Sequence, residues 1–343
     1  MPKVTSSGWG PKLTGRMANY ANAAKDTILL GTIQQHMLKE HSRPSTRRQD
    51  IIHPSEMAKT GWCPKATYLR IKAAREADNP YLKAPESIGV QLLNIFDEGH
   101  YIHAKWQSRL EAMGDLWGNW ECMECEYVLK NSFYYDERCP SCKSHVGYTY
   151  AEVPLRAEQY LISGHADGAV PRLDALIEIK SVGVGTARIE APDIYAANSE
   201  GQKIDLQGLW KDIKEPFPSH VRQGQLYLRL CDIMGLPYDK IIFLYESKFN
   251  QGAKEFVVKF DPNYCDDLLT QCYFIVGALN NTMSAPECPT GSSCKDCESY
   301  GAEKSSAERL GSTTTEIKSS GTESTSETLG RPARTSGRII RPS

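Results

Sequence analysis

Gly164-His165-Ala166-Asp167-Gly168, followed ten residues later by Glu178-Ile179-Lys180, is the stretch on which the reading of this chain turns. Tyr160-Leu161-Ile162-Ser163-Gly164 and Ala175-Leu176-Ile177-Glu178-Ile179-Lys180 read as strands, with a turn at Pro171-Arg172-Leu173-Asp174 between them. Side chains alternate along a strand, so Glu178 and Lys180 share one face while Ile177 and Ile179 point into a core. A hairpin brings Asp167, at the end of the first strand, to that polar face. Two carboxylates converging in a partly buried site are costly unless a cation lies between them. Mg²⁺ or Mn²⁺ suits such a place, because hard oxygen ligands hold it and leave positions for water and phosphate. Alone, the set also describes an exposed strand with surface charges.

Upstream, residues 53–114 have helical periodicity. Ser55-Glu56-Met57 is expected to open a helix running through Cys63-Pro64 to Leu69. A longer helix is expected from Pro85 or Glu86 to about Met113, with Val90, Leu93, Phe96, Trp106, Leu110 and Met113 inward and an interruption near Gly99. Residues 1–48 read as an N-terminal arm with a helix from Tyr20 to His41, then a breaker at Arg43-Pro44 leading to Arg47 and Arg48. Downstream of Lys180 comes a Gly- and Pro-containing loop region, then a helix near Ser219–Met234. A hairpin of Ile241–Tyr245 and Glu255–Phe260 follows, and a last helix covers Tyr264–Thr282. This order predicts an α/β fold in which helices pack around one mixed sheet.

Two more elements flank the acids. Gly99-His100-Tyr101-Ile102-His103 lies before them, and Gln223-Gly224-Gln225-Leu226-Tyr227 after them, each in a helical context. Together with Asp167 and Glu178-x-Lys180, this series resembles the PD-(D/E)XK nuclease superfamily in its RecB-like branch, over about residues 50–300. It is closest to the CRISPR-associated and phage-encoded RecB-type exonucleases. The resemblance implies a restriction-endonuclease-like sheet core flanked by helices, in a nuclease domain spanning 49–301. It implies His103, Asp167 and Glu178 as ligands of the catalytic ion, with the Ile179 carbonyl completing the shell. Lys180 is then the catalytic lysine, and Gln223 and Tyr227 position the DNA strand. Glu152 and Lys248 are second-tier candidates whose simpler reading is surface charge.

Eleven cysteines with no secretory signal point to metal ligands before disulfides. Cys122-x2-Cys125 and Cys139-x2-Cys142, thirteen residues apart, form a zinc-ribbon signature within an inserted module at 117–148. Four cysteines leave no open coordination position, so the zinc is structural. Tyr127, Phe133, Tyr134 and Tyr135 either stack bases or form the module's apolar face. A second group, Cys288-x5-Cys294-x2-Cys297, lacks a fourth ligand. The iron–sulfur members of the resembled family supply it from a segment like Ser55–Tyr68, which makes Cys63, Cys288, Cys294 and Cys297 the ligands of a [4Fe–4S] cluster. Here the long gap precedes the short one, the reverse of the family's order, and a Zn²⁺ ion on the same four ligands or free thiols are the alternatives. Cys231, Cys265 and Cys272 read as buried thiols.

Forty basic against 42 acidic residues exclude a uniformly basic nucleic-acid coat but leave room for a local basic groove. The tail, 302–343, has no aromatic residue, and 16 of its 42 residues are Ser or Thr, so it is expected to be disordered; its Arg331, Arg334, Arg338 and Arg341 are candidate weak DNA or partner contacts. With no apolar run long enough to span a bilayer, the chain is expected in the cytoplasm, that of a host cell if phage-encoded. The resemblance implies a metal-dependent exonuclease acting on single- or double-stranded linear DNA in phage or bacterial recombination, repair or end-processing, with a recombination or replication protein as partner. A structure-selective endonuclease, and a non-catalytic DNA- or partner-binding protein that presents the ribbon, are the alternatives.

Overall fold

The protein is described by a computed structural model covering residues 28–300 apart from 43–46, 82–87, 135–137, 146, 202 and 292. The expected disordered tail, Tyr135, the arm before residue 28 and the first turns of its helix lie outside the described residues. Among the described residues no helix is long and apolar enough to cross a membrane.

The fold is mixed α/β, as the sequence predicts. Its centre is β7 (Ala175–Val182), which pairs in parallel with β10 (Lys240–Ser247) and antiparallel with β6 (Gly168–Val170). β11 (Ala253–Lys259) closes the far edge as the antiparallel partner of β10. β5 (Ile162–Ala166) runs almost directly into β6, yet β5 pairs with β4 (Val153–Ala157) and β6 with β7. The chain therefore changes ladders at the single residue between them, Asp167.

Both faces of β7 are covered. Ile177 and Ile179, with Ile242, pack against Ile102 on one side. Leu176 and Val182, with Ile241, Phe243 and Tyr245, pack on the other in the main core, which includes Leu226 and Leu230. The face carrying Glu178 and Lys180 is thus not open to solvent, as an alternating strand suggests, but roofed by α8 (Pro218–Met234). That roof sits close because of Gly224. A Cβ there would stand 2.7 Å from the Phe243 ring and 3.0 Å from Ile241.

The long helix, α4 (Val90–Ala112), packs its Ile102, Trp106 and Leu110 on the Ile177 face. It starts after Gly89, the expected start at Pro85 or Glu86 lying outside the described residues, and passes Gly99 without a break, where a small residue admits Ser181 and Lys248. Phe96 and Met113, expected inward, are exposed. The expected helix around Cys63 is two helices, α2 (Pro54–Met57) and α3 (Pro64–Glu76), split by Gly61 at φ +77. Cys63 is the N-cap of α3, its thiol accepting from the Ala66 amide, and Pro64 fits the first helical position. α1 (Leu30–His41) precedes both.

The cysteine-bearing module is a three-stranded antiparallel sheet of β1 (Gly118–Cys122), β2 (Val128–Ser132) and β3 (Tyr148–Tyr150), inserted between α4 and β4. The region after β7, expected as loop, holds α5 (Val184–Glu190), α6 (Pro192–Ala197), the small hairpin β8 (Ser199–Glu200) and β9 (Lys203–Ile204), and α7 (Leu206–Asp212). These helices are each under eight residues, too short for a periodic apolar stripe to stand out from the Gly and Pro around them. α9 (Asp266–Leu279) packs on α3 and buries Cys272, while Cys231 and Cys265 are also buried.

Gly224→Ala should destabilise the protein by about 1–3 kcal/mol in urea unfolding, although alanine is favoured by about 1 kcal/mol in a helix interior. Gly185→Ala, where a Cβ meets nothing within 4 Å, should leave stability unchanged or raised. Equal effects at the two positions would disprove the close-packing account of α8.

Candidate active site and metal centres

Asp167 is placed by the ladder change. Where β6 ends, the Ile179 amide has no strand partner, and Asp167 Oδ2 accepts it at 2.6 Å. The N–H and C=O of one strand residue point the same way, so the Ile179 carbonyl faces the same open edge. His103, on α4, reaches that edge with Nδ1 3.2 Å from Asp167 Oδ1. One turn further along α4, Gln107 donates to the Asp167 carbonyl at 3.0 Å.

On β7, Lys180 Nζ donates to Glu178 Oε1 at 2.8 Å and to Gln223 Oε1 at 2.8 Å. Gln223 Nε2 donates in turn to Glu178 Oε1 at 3.0 Å and to the Tyr227 hydroxyl at 2.9 Å. Gln223 and Tyr227 are one turn apart on α8, so one helix face holds the whole chain of contacts. Gly164 on β5 makes room for the Tyr227 ring, which a Cβ would meet at 3.2 Å. Asp167, Glu178, Lys180, His103, Gln223, Tyr227 and the Ile179 backbone therefore share one connected site.

Glu152 belongs beside them rather than to the surface, correcting the simpler expectation. It sits between β3 and β4 with a left-handed backbone, φ +63, and its carboxyl is pushed up to about 7, first by burial and then by the charges of Asp167 and Glu178. Gln107 hydrogen-bonds it. Sequence alone gave no signal for Gln107; its spacing of four from His103 on a helix is the clue that existed. Lys248 is occupied elsewhere: Nζ donates to the Ile95 carbonyl at 2.6 Å and pairs with Glu98 at 3.7 Å, tying α4 to the end of β10.

Crowded acids dominate the electrostatics. Glu178, 3% exposed, is raised to about 7 by burial and by Asp167, against the opposing pull of Lys180. Burial lowers the His103 pKa, but the Asp167 bond and the neighbouring carboxylates outweigh it and leave it raised. His220, three residues before Gln223, is held well below 6.5 by burial and by Lys180, with Nδ1 bonded to the Tyr245 hydroxyl. Glu178 Oε2 is buried with no hydrogen bond, an unfavourable state for a carboxylate oxygen unless a cation meets it. The donor set (carboxylates, an imidazole and a backbone carbonyl) suits Mg²⁺ or Mn²⁺.

Both cysteine groups converge, and each could hold a metal ion. In the ribbon, Cys122 and Cys142 sulfurs lie 3.8 Å apart and those of Cys125 and Cys139 3.7 Å. A tetrahedral ion with bonds of about 2.3 Å needs sulfur separations of about 3.8 Å, so the ribbon fits zinc. Backbone amides of Tyr127, Ser141 and Ser144 serve Cys125, Cys139 and Cys142 respectively, as two knuckles require. The buried Tyr148 hydroxyl, without a partner of normal geometry, lies against Cys139. Tyr134 and Tyr150 stack edge-on against Trp120 and serve the module's own core, whereas Tyr127 and Phe133 are exposed. Cys63, Cys288, Cys294 and Cys297 also meet, with sulfur contacts of 3.4–3.8 Å. That spacing does not fit the [4Fe–4S] cluster, in which each thiolate binds a different iron.

No family model matches the chain, and no curated protein matches it. Among solved structures it is similar to an alkaline exonuclease (LHK-Exo) from Laribacter hongkongensis, at 13% identity and a TM-score of 0.37, covering 77% of this chain and 96% of that one. The same exonuclease in complex with dAMP gives 10% identity and a TM-score of 0.36 over the same shares. SSO0001 gives 14% identity and 0.34, over 76% of this chain and 90% of that one.

Two outcomes test these centres. Glu152 and Glu178 must lose protons to hold a cation, so Mg²⁺ or Mn²⁺ affinity should rise with pH through about 7 and then level off. Calorimetry in buffers of different ionisation enthalpy should register proton release on binding, and Glu178→Gln should lower it by the share that Glu178 contributes. Tyr148→Phe should weaken ribbon zinc about 10-fold in chelator competition, through loss of a group that supports the thiolates.

Proposed function

We propose that this protein is a divalent-metal-dependent DNA nuclease of the PD-(D/E)XK type, in the RecB-like branch, hydrolysing phosphodiester bonds from DNA ends. The observation that carries the reading is the meeting of Asp167, Glu178, Lys180 and His103 at one strand edge, with Glu178 Oε2 buried and unpartnered. A surface strand with incidental charges has no reason to bury two carboxylates together.

His103, Asp167, Glu178 and the Ile179 carbonyl would hold the ion, with Glu152 alongside. A divalent ion bound there supplies Lewis-acid polarisation and makes water more acidic. The residues of the chain do the rest. Gln223 and Glu178 fix the Lys180 ammonium by two of its three hydrogens, leaving one to orient the attacking water or to meet a phosphate oxygen as charge builds on it. The water gives up a proton to solvent as its oxygen forms a bond to phosphorus, the P–O bond to the sugar breaks, and the departing alkoxide takes a proton from solvent. Tyr227 braces Gln223 and so sets the position of Lys180. Gln107 holds Asp167 and Glu152 from α4, keeping the acid edge in register with His103.

The discriminating experiment compares end-labelled linear DNA with closed circular DNA in Mg²⁺ or Mn²⁺. Degradation of the linear form alone is expected. Lys180→Gln and Asp167→Asn should each lower the rate by about 10³-fold or more with circular dichroism unchanged, since Asn can still accept the Ile179 amide. Cutting of circles would replace the exonuclease reading with an endonuclease. Full activity in the Lys180→Gln, Asp167→Asn double variant would remove this site from the chemistry, and no activity in metal-replete wild type would favour a binding module.

A further inference from the structure

The second cysteine site differs from what the resembled family implies, and the difference is geometric. Cys63, Cys288 and Cys297 are buried and Cys294 is partly so. Cys63 Sγ lies 3.8 Å from Cys288 Sγ and 3.4 Å from Cys297 Sγ, and Cys294 Sγ lies 3.6 Å from Cys297 Sγ. All four ligand atoms fall within 4.8 Å of one another. Four thiolates around one ion with bonds of about 2.3 Å stand about 3.8 Å apart. In a cubane each thiolate sits outside its own iron, so iron–iron separation adds to every sulfur–sulfur distance. An eight-atom core does not fit inside this tetrad.

The ribbon provides an internal standard. Its four sulfurs show the same spacing, 3.8 and 3.7 Å, within the same 4.8 Å limit. Local chemistry agrees. The Ala66 amide donates to Cys63 and the Thr290 hydroxyl contacts Cys288 at 3.1 Å, while Cys294 stands just before a helical run at 295–300 that carries Cys297. Hydrogen bonds to sulfur favour the thiolate form that metal binding requires. Four sulfur ligands leave no open position, which makes the ion structural.

We propose that Cys63, Cys288, Cys294 and Cys297 hold one tetrahedral zinc ion in place of an iron–sulfur cluster, so that each chain carries two structural zincs. The site ties the start of α3 to the segment after α9 and is redox-inert.

The test uses the full chain, produced and purified without oxygen from medium supplemented with both iron and zinc, so that a labile cluster survives if it forms. Metal analysis should find about two zincs per chain with neither iron nor acid-labile sulfide, and the protein should be colourless near 400 nm. Zinc-edge X-ray absorption should give four sulfur neighbours at about 2.3 Å. Cys294→Ser, at the least buried ligand, should lower zinc to about one per chain, and Cys125→Ser should do the same independently. Iron and sulfide in four-to-four proportion, with one zinc, would overturn the proposal. So would two zincs retained in a folded Cys294→Ser protein. If that variant does not fold, the wild-type metal and sulfide content decides alone.

Discussion

One hydrogen bond organises the site: the Ile179 amide, left without a strand partner where β6 stops, given to Asp167 Oδ2. A strand that paired with β7 throughout would satisfy that amide from the backbone and turn its side chains to the two faces. Here the chain spends its neighbouring residues on the β4 ladder, and a side chain completes the β7 edge instead. The acid is thereby fixed at the sheet margin, 7% exposed, with its other oxygen free to face His103. An unpaired buried amide costs about 1–3 kcal/mol, so the carboxylate satisfies the fold and the site at once.

Everything packed around this edge works against the same problem, the cost of gathering negative charge away from water. Lys180 compensates Glu178 from two residues along the strand, and Gln223 spans both from above. α8 can do this only because Gly224 lets it descend onto Phe243. Compensation is incomplete: two carboxyls remain raised to about 7, and one buried oxygen has no partner. The folded protein thus keeps an electrostatic cost that a divalent cation bound there would relieve.

Much of this was legible in the chain. Strand alternation placed Glu178 with Lys180, and helical spacing placed Gln223 with Tyr227, because both rest on local periodicities of two and four residues. What escaped was tertiary. Alternation suggests that one face of β7 is wet, yet α8 covers it. Phe96 and Met113 share the apolar periodicity of α4 but extend past the sheet that buries Ile102, Trp106 and Leu110. Glu152 looked like any charge at a strand start, since nothing local shows that its strand runs beside Asp167. Cysteine spacing identified the ribbon tetrad and three ligands of the second, the resemblance adding Cys63, but only sulfur separation distinguishes one ion from a cluster.

Glu152 also links the ribbon to the acids. A left-handed backbone at a residue other than glycine costs roughly 1 kcal/mol and persists only where its surroundings enforce it. Asn119, on β1, does so from both sides, its carbonyl accepting from Ala151 and its amide donating to the Glu152 carbonyl. Trp117, next to β1, exchanges two backbone bonds with Ala169 on β6, two residues past Asp167. The first strand of the ribbon is thus stitched to both sides of the acid edge, and that same strand ends at Cys122. The module gathers its four cysteines at one end and is bonded to the acid edge at the other, where Asn119 fixes the backbone of Glu152. The insertion is therefore part of the frame that sets where the third carboxylate stands.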